Sequence, residues 1–363
     1  MHPDTLFSAD FATARAKFLA ACTLRGLAPQ THVHPLAGAH GETLATDVVR
    51  IGPDDAARLL VLTSGVHGVE LFAGAGCQVD WLLTHAADAL PRDTAVVLVH
   101  AINPWGASWL RRYTEDNVDL CRNFIDHSVL PPSPAYAALH AAIDLDPDDA
   151  DAAARGDAML ADFAHARGND ALYNALMAGQ YTVPHGMGFG GQAPTWSRKT
   201  IEAVLRKHAA GAGEVCLVDY HTGLGPYSYG SIVALQQGAD LVRMREAFGP
   251  WVVAVHESDA PEDFAPVTGH TTPGYERTLA HARVTAAVLE FGTGRPQRML
   301  ELLVRDQREW ASGAGRARLS AVRRELLEFF YPADAAWQQS LVDQSRQVIE
   351  RALRFLSRRP HTT

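Results

Sequence analysis

Four uninterrupted apolar runs constrain this chain most: Leu59–Ser64 (LLVLTS), Ala95–Ala101 (AVVLVHA), Val215–Tyr220 (VCLVDY) and Val284–Phe291 (VTAAVLEF). A strand with one wet face alternates apolar and polar residues. A run that is apolar at both parities needs cover on both faces, which is the situation of a central strand in a parallel or mixed sheet. Stretches of helical character separate the runs, and that alternation predicts an α/β fold. Strands are expected at Leu44–Ile51, Arg58–Ser64, Thr94–Ala101, Val215–Tyr220, Ile232–Leu235, Trp251–His256 and Arg283–Phe291. Helices are expected at Asp10–Leu27, Leu71–Ala86, Thr195–Ala209, Ala239–Ala247, Pro296–Gly313 and Asp334–Leu356.

Residues 126–194 break the rhythm. They begin Pro-rich (PPSPAY), continue acidic and Ala-rich (IDLDPDDADAAARGDA) and end Gly-rich (HGMGFGGQAP). This predicts a mostly helical insertion in one domain spanning residues 1–363. The insertion either overhangs the site or stands in solvent. Hydrophobic residues at 47% and charged residues at 20% supply an ordinary globular core. A net charge of −9 argues against a nucleic-acid partner, which calls for a basic face. No apolar run approaches the ~18 residues of a membrane span. The N-terminus lacks the basic, apolar, small-residue order of a secretory signal. Cys22, Cys77, Cys121 and Cys216 are scattered, as free thiols in a reducing compartment would be. The expectation is a cytoplasmic protein with no membrane partner.

Chemistry-bearing residues collect after the apolar runs, where open α/β sheets place their ligands. TSGVHGVELFAG follows the second expected strand and sets His67 and Glu70 three residues apart on a turn with Gly65 and Gly68. An imidazole and a carboxylate suit Zn²⁺, although H-x-x-E alone is a weak signal and more often marks a plain surface turn. Val99–Phe124 packs Asn103, Arg111, Arg112, Asn117, Asp119, Arg122 and Asn123 into one stretch. Its arginines could present planar forks to a carboxylate or an oxyanion, or tie down a loop by internal ion pairs. DYHTGLGP delivers His221 at a strand end, and LEFGTG sets Glu290 among Val, Leu and Phe. A carboxylate there is costly unless paired, protonated or functional.

Together, HGVE, INPWG, NVDLCRNF, DYHTGLGP and LEFGTG resemble the M14 zinc carboxypeptidases, and most of all their DUF2817 branch, over about Leu44–Gly294. The resemblance implies a zinc-carboxypeptidase-like fold, with a mixed, mostly parallel central sheet flanked by helices. It implies one Zn²⁺ held by His67, Glu70 and His221, a fourth position open to water, and Glu290 as general base. It makes Arg112 the group that polarises the scissile carbonyl, with Arg111 as fallback. Arg122, with Asn123 and Cys121 beside it, falls where the family grips a substrate carboxylate. Asp119 falls where a carboxylate orients the first zinc histidine. The phenol that closes over substrate in the family has two candidates, Tyr275 first and Tyr227 second.

One departure is visible. The family's usual N-R-N is Cys121-Arg122-Asn123 here, which removes an amide donor to a terminal carboxylate. With three ligands implied, the thiol is not assigned to zinc. The implied function is zinc-dependent amide hydrolysis of a peptide or small peptide-like substrate, with a free carboxylate as a possible handle. Two alternatives stand beside it: an N-acyl amino acid amidohydrolase similar to aspartoacylase and succinylglutamate desuccinylase, and a non-catalytic binding protein on the same fold.

Overall fold

A computed structural model describes residues 3–84, 90–257, 267–313 and 319–358. Eight strands form one sheet: β1 Gln30–Ala37, β2 Thr43–Ile51, β3 Arg58–Ser64, β4 Thr94–His100, β5 Glu214–Tyr227, β6 Gly230–Ala234, β7 Val253–Ala254 and β8 Arg283–Gly292. Their spatial order is β1-β2-β4-β3-β5-β8-β6-β7. The β4-β3-β5-β8 centre is parallel, whereas β1-β2, β2-β4 and β6-β8 pair antiparallel. The four apolar runs are those four central strands. Along β3, Leu60 and Leu62 join the core beneath helices Leu71–Thr84 and Ala335–Ser357, while Leu59 and Val61 join the core beneath helix Trp196–His208. Both parities are therefore buried, which explains why this strand does not alternate.

Differences from the sequence reading have local causes. β1 was not expected: it is an edge strand with exposed residues and Pro35, so it carries no apolar signal. β5 runs on to Tyr227 across Gly223 and Gly225, with a register shift between Gly223 and Tyr227. The expected strand Trp251–His256 shrinks to two residues at the sheet edge. Helix Leu71–Thr84 fits its expected range, whose last two residues lie outside the described ones. The amphipathic helix Ala321–Phe330 was missed. No described helix is long and apolar enough to cross a membrane.

The insertion carries helices Pro134–Leu139, Ala150–Arg167 and Asn169–Met177. It does not stand free in solvent. Tyr136, Leu139, Ile143, Leu176 and Met187 share an apolar cluster with Met299, Leu302, Val322, Leu326 and Phe330. Val69, from the turn after β3, belongs to the same cluster. The insertion and the C-terminal helices thus form a third layer beside the strand ends that carry His67 and Glu290.

Candidate metal centre

Three strand ends assemble the site. β3 stops at Ser64, and Gly65 turns the chain at φ +74°, a left-handed conformation that glycine adopts without strain. His67 then immediately precedes the short 3₁₀ turn Gly68–Glu70, its side chain left free of any capping bond. A Cβ on Gly68 would lie 2.0 Å from the carbonyl carbon of Gly106, so the turn sits directly on another backbone. Amide hydrogen bonds hold it there, from Val69 to the Arg111 carbonyl (2.9 Å) and from Gly68 to that of Arg112 (3.3 Å). On the adjacent strands, register places His221 of β5 opposite Glu290 of β8.

Glu70 stands between the two imidazoles. Its Oε1 is 2.9 Å from His67 Nδ1 and its Oε2 is 3.1 Å from His221 Nδ1. The far nitrogens each meet an aspartate: His67 Nε2 lies 3.3 Å from Asp119 Oδ1, and His221 Nε2 lies 3.2 Å from Asp219 Oδ2. Such carboxylate–histidine pairs orient a ring and raise its basicity toward a metal. Asp219 is anchored in turn by the hydroxyls of Thr63 (2.7 Å) and Thr271 (3.1 Å). Asp119 accepts the Cys121 N–H at 3.0 Å. All of these groups are buried.

Charge crowding shifts the site's protonation. Burial and Arg112 disfavour a proton on His67, but Glu70, Cys121 and Asp119 outweigh them and raise it to about 10. Burial would raise Glu70, yet His67 and His221 beside it hold its carboxyl well below the usual range. Burial, reinforced by the charge of Glu70, lifts Glu290 to about 7. A proton is therefore favoured on His67, and a divalent cation would compete with it for that nitrogen's lone pair.

A cavity of about 100 Å³ opens on these groups, lined by His67, Glu70, Arg112, Cys121, Arg122, His221 and Glu290. Arg112 donates to Glu70 Oε1 and to Asp119 Oδ2, both at 3.1 Å. Arg122 donates from Nε and Nη2 to the Met177 carbonyl (2.9 and 2.5 Å) and from Nη1 to the Cys121 carbonyl (2.9 Å). The Cys121 sulfur and one nitrogen each of His67 and His221 lie within 4.8 Å of one another, so the thiol stands beside the metal donors themselves.

Four expected site residues are placed elsewhere. Arg111 is sealed in the core, bonded to Asp306 at 2.8 Å and stacked 4.2 Å over Trp310, because Asp306 bridges it to Arg323. Asn123 turns from the cavity and uses its amide to hold the carbonyls of Gly190 (2.8 Å) and Ala193 (3.0 Å). Tyr275 is buried edge-on against Phe124. Tyr227 is half exposed and bonds Asp334 at 2.8 Å. Neither tyrosine lines the cavity. Tyr173, from the insertion, does, together with His270. Sequence reading missed both, and nothing local marks them. Asp219 was also missed, although its signal was present: it lies two residues before His221 on a strand and so shares its face.

The family model described as Protein of unknown function (DUF2817) matches residues 7–344. The chain belongs to this family. No curated protein matches its sequence. Among solved structures, carboxypeptidase A of Helicoverpa armigera is similar at 11% identity over 97% of this chain and 74% of that one, with a TM-score of 0.53. Bovine thrombin-activatable fibrinolysis inhibitor is similar at 13% identity, 89% and 98% coverage and a TM-score of 0.46. Succinylglutamate desuccinylase of Chromobacterium violaceum is similar at 16% identity, 87% and 75% coverage and a TM-score of 0.38. The fold of this DUF2817 member is the α/β fold of the carboxypeptidases.

Proposed function

We propose that this chain is a zinc-dependent hydrolase that cleaves an amide bond in a peptide or small peptide-like substrate. One observation carries the reading. His67 Nδ1, the Glu70 carboxylate and His221 Nδ1 face one another, each ring braced from behind by an aspartate, with Glu290 on the same cavity. The donor set fits Zn²⁺. Among the described residues, His67 Nδ1 is a buried nitrogen without a hydrogen-bond partner of good geometry, 2.9 Å from Glu70 Oε1, as a nitrogen that would ligate a cation can be. When bound, zinc would polarise the scissile carbonyl and acidify a water.

The chain's own groups supply the rest. Glu290, with one oxygen aimed by the Leu224 N–H at 3.0 Å, accepts a proton from the attacking water. It then returns that proton to the leaving nitrogen. Arg112 keeps N–H groups beyond those given to Glu70 and Asp119, and offers them to the oxyanion that develops on the carbonyl. Arg122 retains two of its five N–H groups for a substrate carboxylate. Val233, Val255 and Val288 form an apolar wall for a neighbouring substrate group. The small cavity favours a second reading in which the substrate is an N-acyl amino acid.

The test presents zinc-loaded protein with C-terminally varied dipeptides and with N-acyl amino acids. Turnover of one library assigns the substrate class. Glu290→Gln is expected to keep zinc and fold while losing about 10²–10⁴-fold in rate, and His221→Ala to lose zinc. A near-normal kcat in the first variant would make Glu290 a structural acid, and full zinc in the second would remove His221 from the ligands. A zinc-bound wild type inert on both libraries would support the binding-protein alternative.

A further inference from the structure

We propose that His140, Asp144 and His185 form a second divalent-cation site, on the insertion and independent of the centre described above. His140 and Asp144 sit one turn apart, with the Asp144 N–H bonded to the His140 carbonyl at 2.9 Å. His185 arrives from the Gly-rich end of the insertion. The Nε2 atoms of both histidines lie 3.6 Å from the same oxygen, Asp144 Oδ2, and the three donor atoms fall within 4.8 Å of one another. That spacing is too long for N–H···O hydrogen bonds. It is close to the edge, roughly 3.4 Å, of a tetrahedron built on bonds of about 2.0–2.1 Å.

The donors are held in place by the chain itself. The Asn117 amide donates to the carbonyls on either side of His185, Pro184 (3.1 Å) and Gly186 (2.9 Å), and Gln307 donates to the His185 carbonyl at 2.7 Å. Behind His140, the Tyr136 hydroxyl lies 3.3 Å from Nδ1 and accepts the Met187 N–H at 2.7 Å. An oxygen behind the ring fixes its orientation and leaves Nε2 for a metal. Side-chain exposure is 22% for His140, 49% for Asp144 and 46% for His185, so water can complete the coordination. Two imidazoles and one carboxylate select a first-row ion of the zinc class over calcium or magnesium. A cation here would staple the first helical turns of the insertion to its Gly-rich end. The carbonyl of Phe189 in that end accepts the Asp119 N–H at 2.7 Å.

The experiment uses the full chain with His67→Ala and His221→Ala, which disable the first centre, and titrates the metal-free protein with Zn²⁺ alone by calorimetry. About one equivalent is expected to bind and to slow proteolysis within the insertion. Adding His185→Gln, or separately His140→Gln, should weaken binding about tenfold or more and abolish the protection, with unchanged circular dichroism confirming the fold. Absence of zinc binding in the double variant, or unchanged affinity in both Gln variants, overturns the second site. Neither result bears on the first centre.

Discussion

Asp219 shows how much of the candidate centre is carried by groups behind its imidazoles. Its carboxylate meets His221 Nε2 and takes two threonine hydroxyls, so the ring is fixed by a network that reaches across β3 and helix Thr271–Thr278. Asp219→Asn keeps the shape and removes the charge. It is expected to weaken zinc about 10–100-fold while leaving zinc-loaded protein folded. Competition with a chromophoric chelator measures this, and unchanged affinity would reduce Asp219 to a sheet-packing residue. Arg111 and Arg112 make the complementary point. Adjacent and chemically alike, they differ only in what surrounds them: Asp306, Arg323 and Trp310 for the first, Glu70 and Asp119 for the second.

Among the elements, the turn after β3 is the one the centre depends on most. It supplies both His67 and Glu70, and its position is set by contact of Gly68 with the Gly106–Ala107 backbone. A Gly68→Ala methyl would meet Ala107 N at 2.2 Å, and backbone cannot swing aside as a side chain can. Overpacking of this kind costs about 1–3 kcal/mol. The expected outcome is a lower melting temperature together with lost zinc, since both proposed ligands move with the turn. Wild-type values in melting and metal analysis would show that the turn adapts. The insertion matters by a different route. Its Met177 carbonyl seats Arg122, and its Tyr173 lines the cavity.

For the whole molecule, the large apolar clusters lie on both faces of the sheet, and one buried group there is expected to make stability depend on pH. His100 of β4 is wholly buried, stacked on Phe18 with centroids 4.6 Å apart, and neither ring nitrogen has a hydrogen-bond partner among the described residues. Burial, with Arg15 assisting and Asp47 opposing, lowers its pKa from 6.5 to about 4. Below pH 6.5 the unfolded chain takes up a proton that the folded one refuses until about pH 4, so stability falls as pH falls through that window. Each pH unit of it is worth about 1.4 kcal/mol. His100→Phe keeps the stacking and removes the titration. Its melting temperature should therefore decline less than that of wild type between pH 6.5 and 4, and parallel declines would remove His100 from the account.

Sequence alone determined the central strands and the residues at their ends. Burial on both faces forces a run to be apolar at both parities, and a turn that opens at a strand end writes its His, Glu and Gly next to one another. The sequence could not separate Arg111 from Arg112, or rank Tyr275, Tyr227 and Tyr173. Those choices depend on which distant groups surround each side chain, and Asp306 lies far along the chain from Arg111. The same holds for the insertion. Its composition suited a solvated excursion as well as a covering layer, until packing of Leu139 and Leu176 against Leu302 and Phe330 placed it beside the cavity. Contacts local in sequence are written in the local pattern, whereas contacts between remote segments exist only once the sheet has brought those segments together.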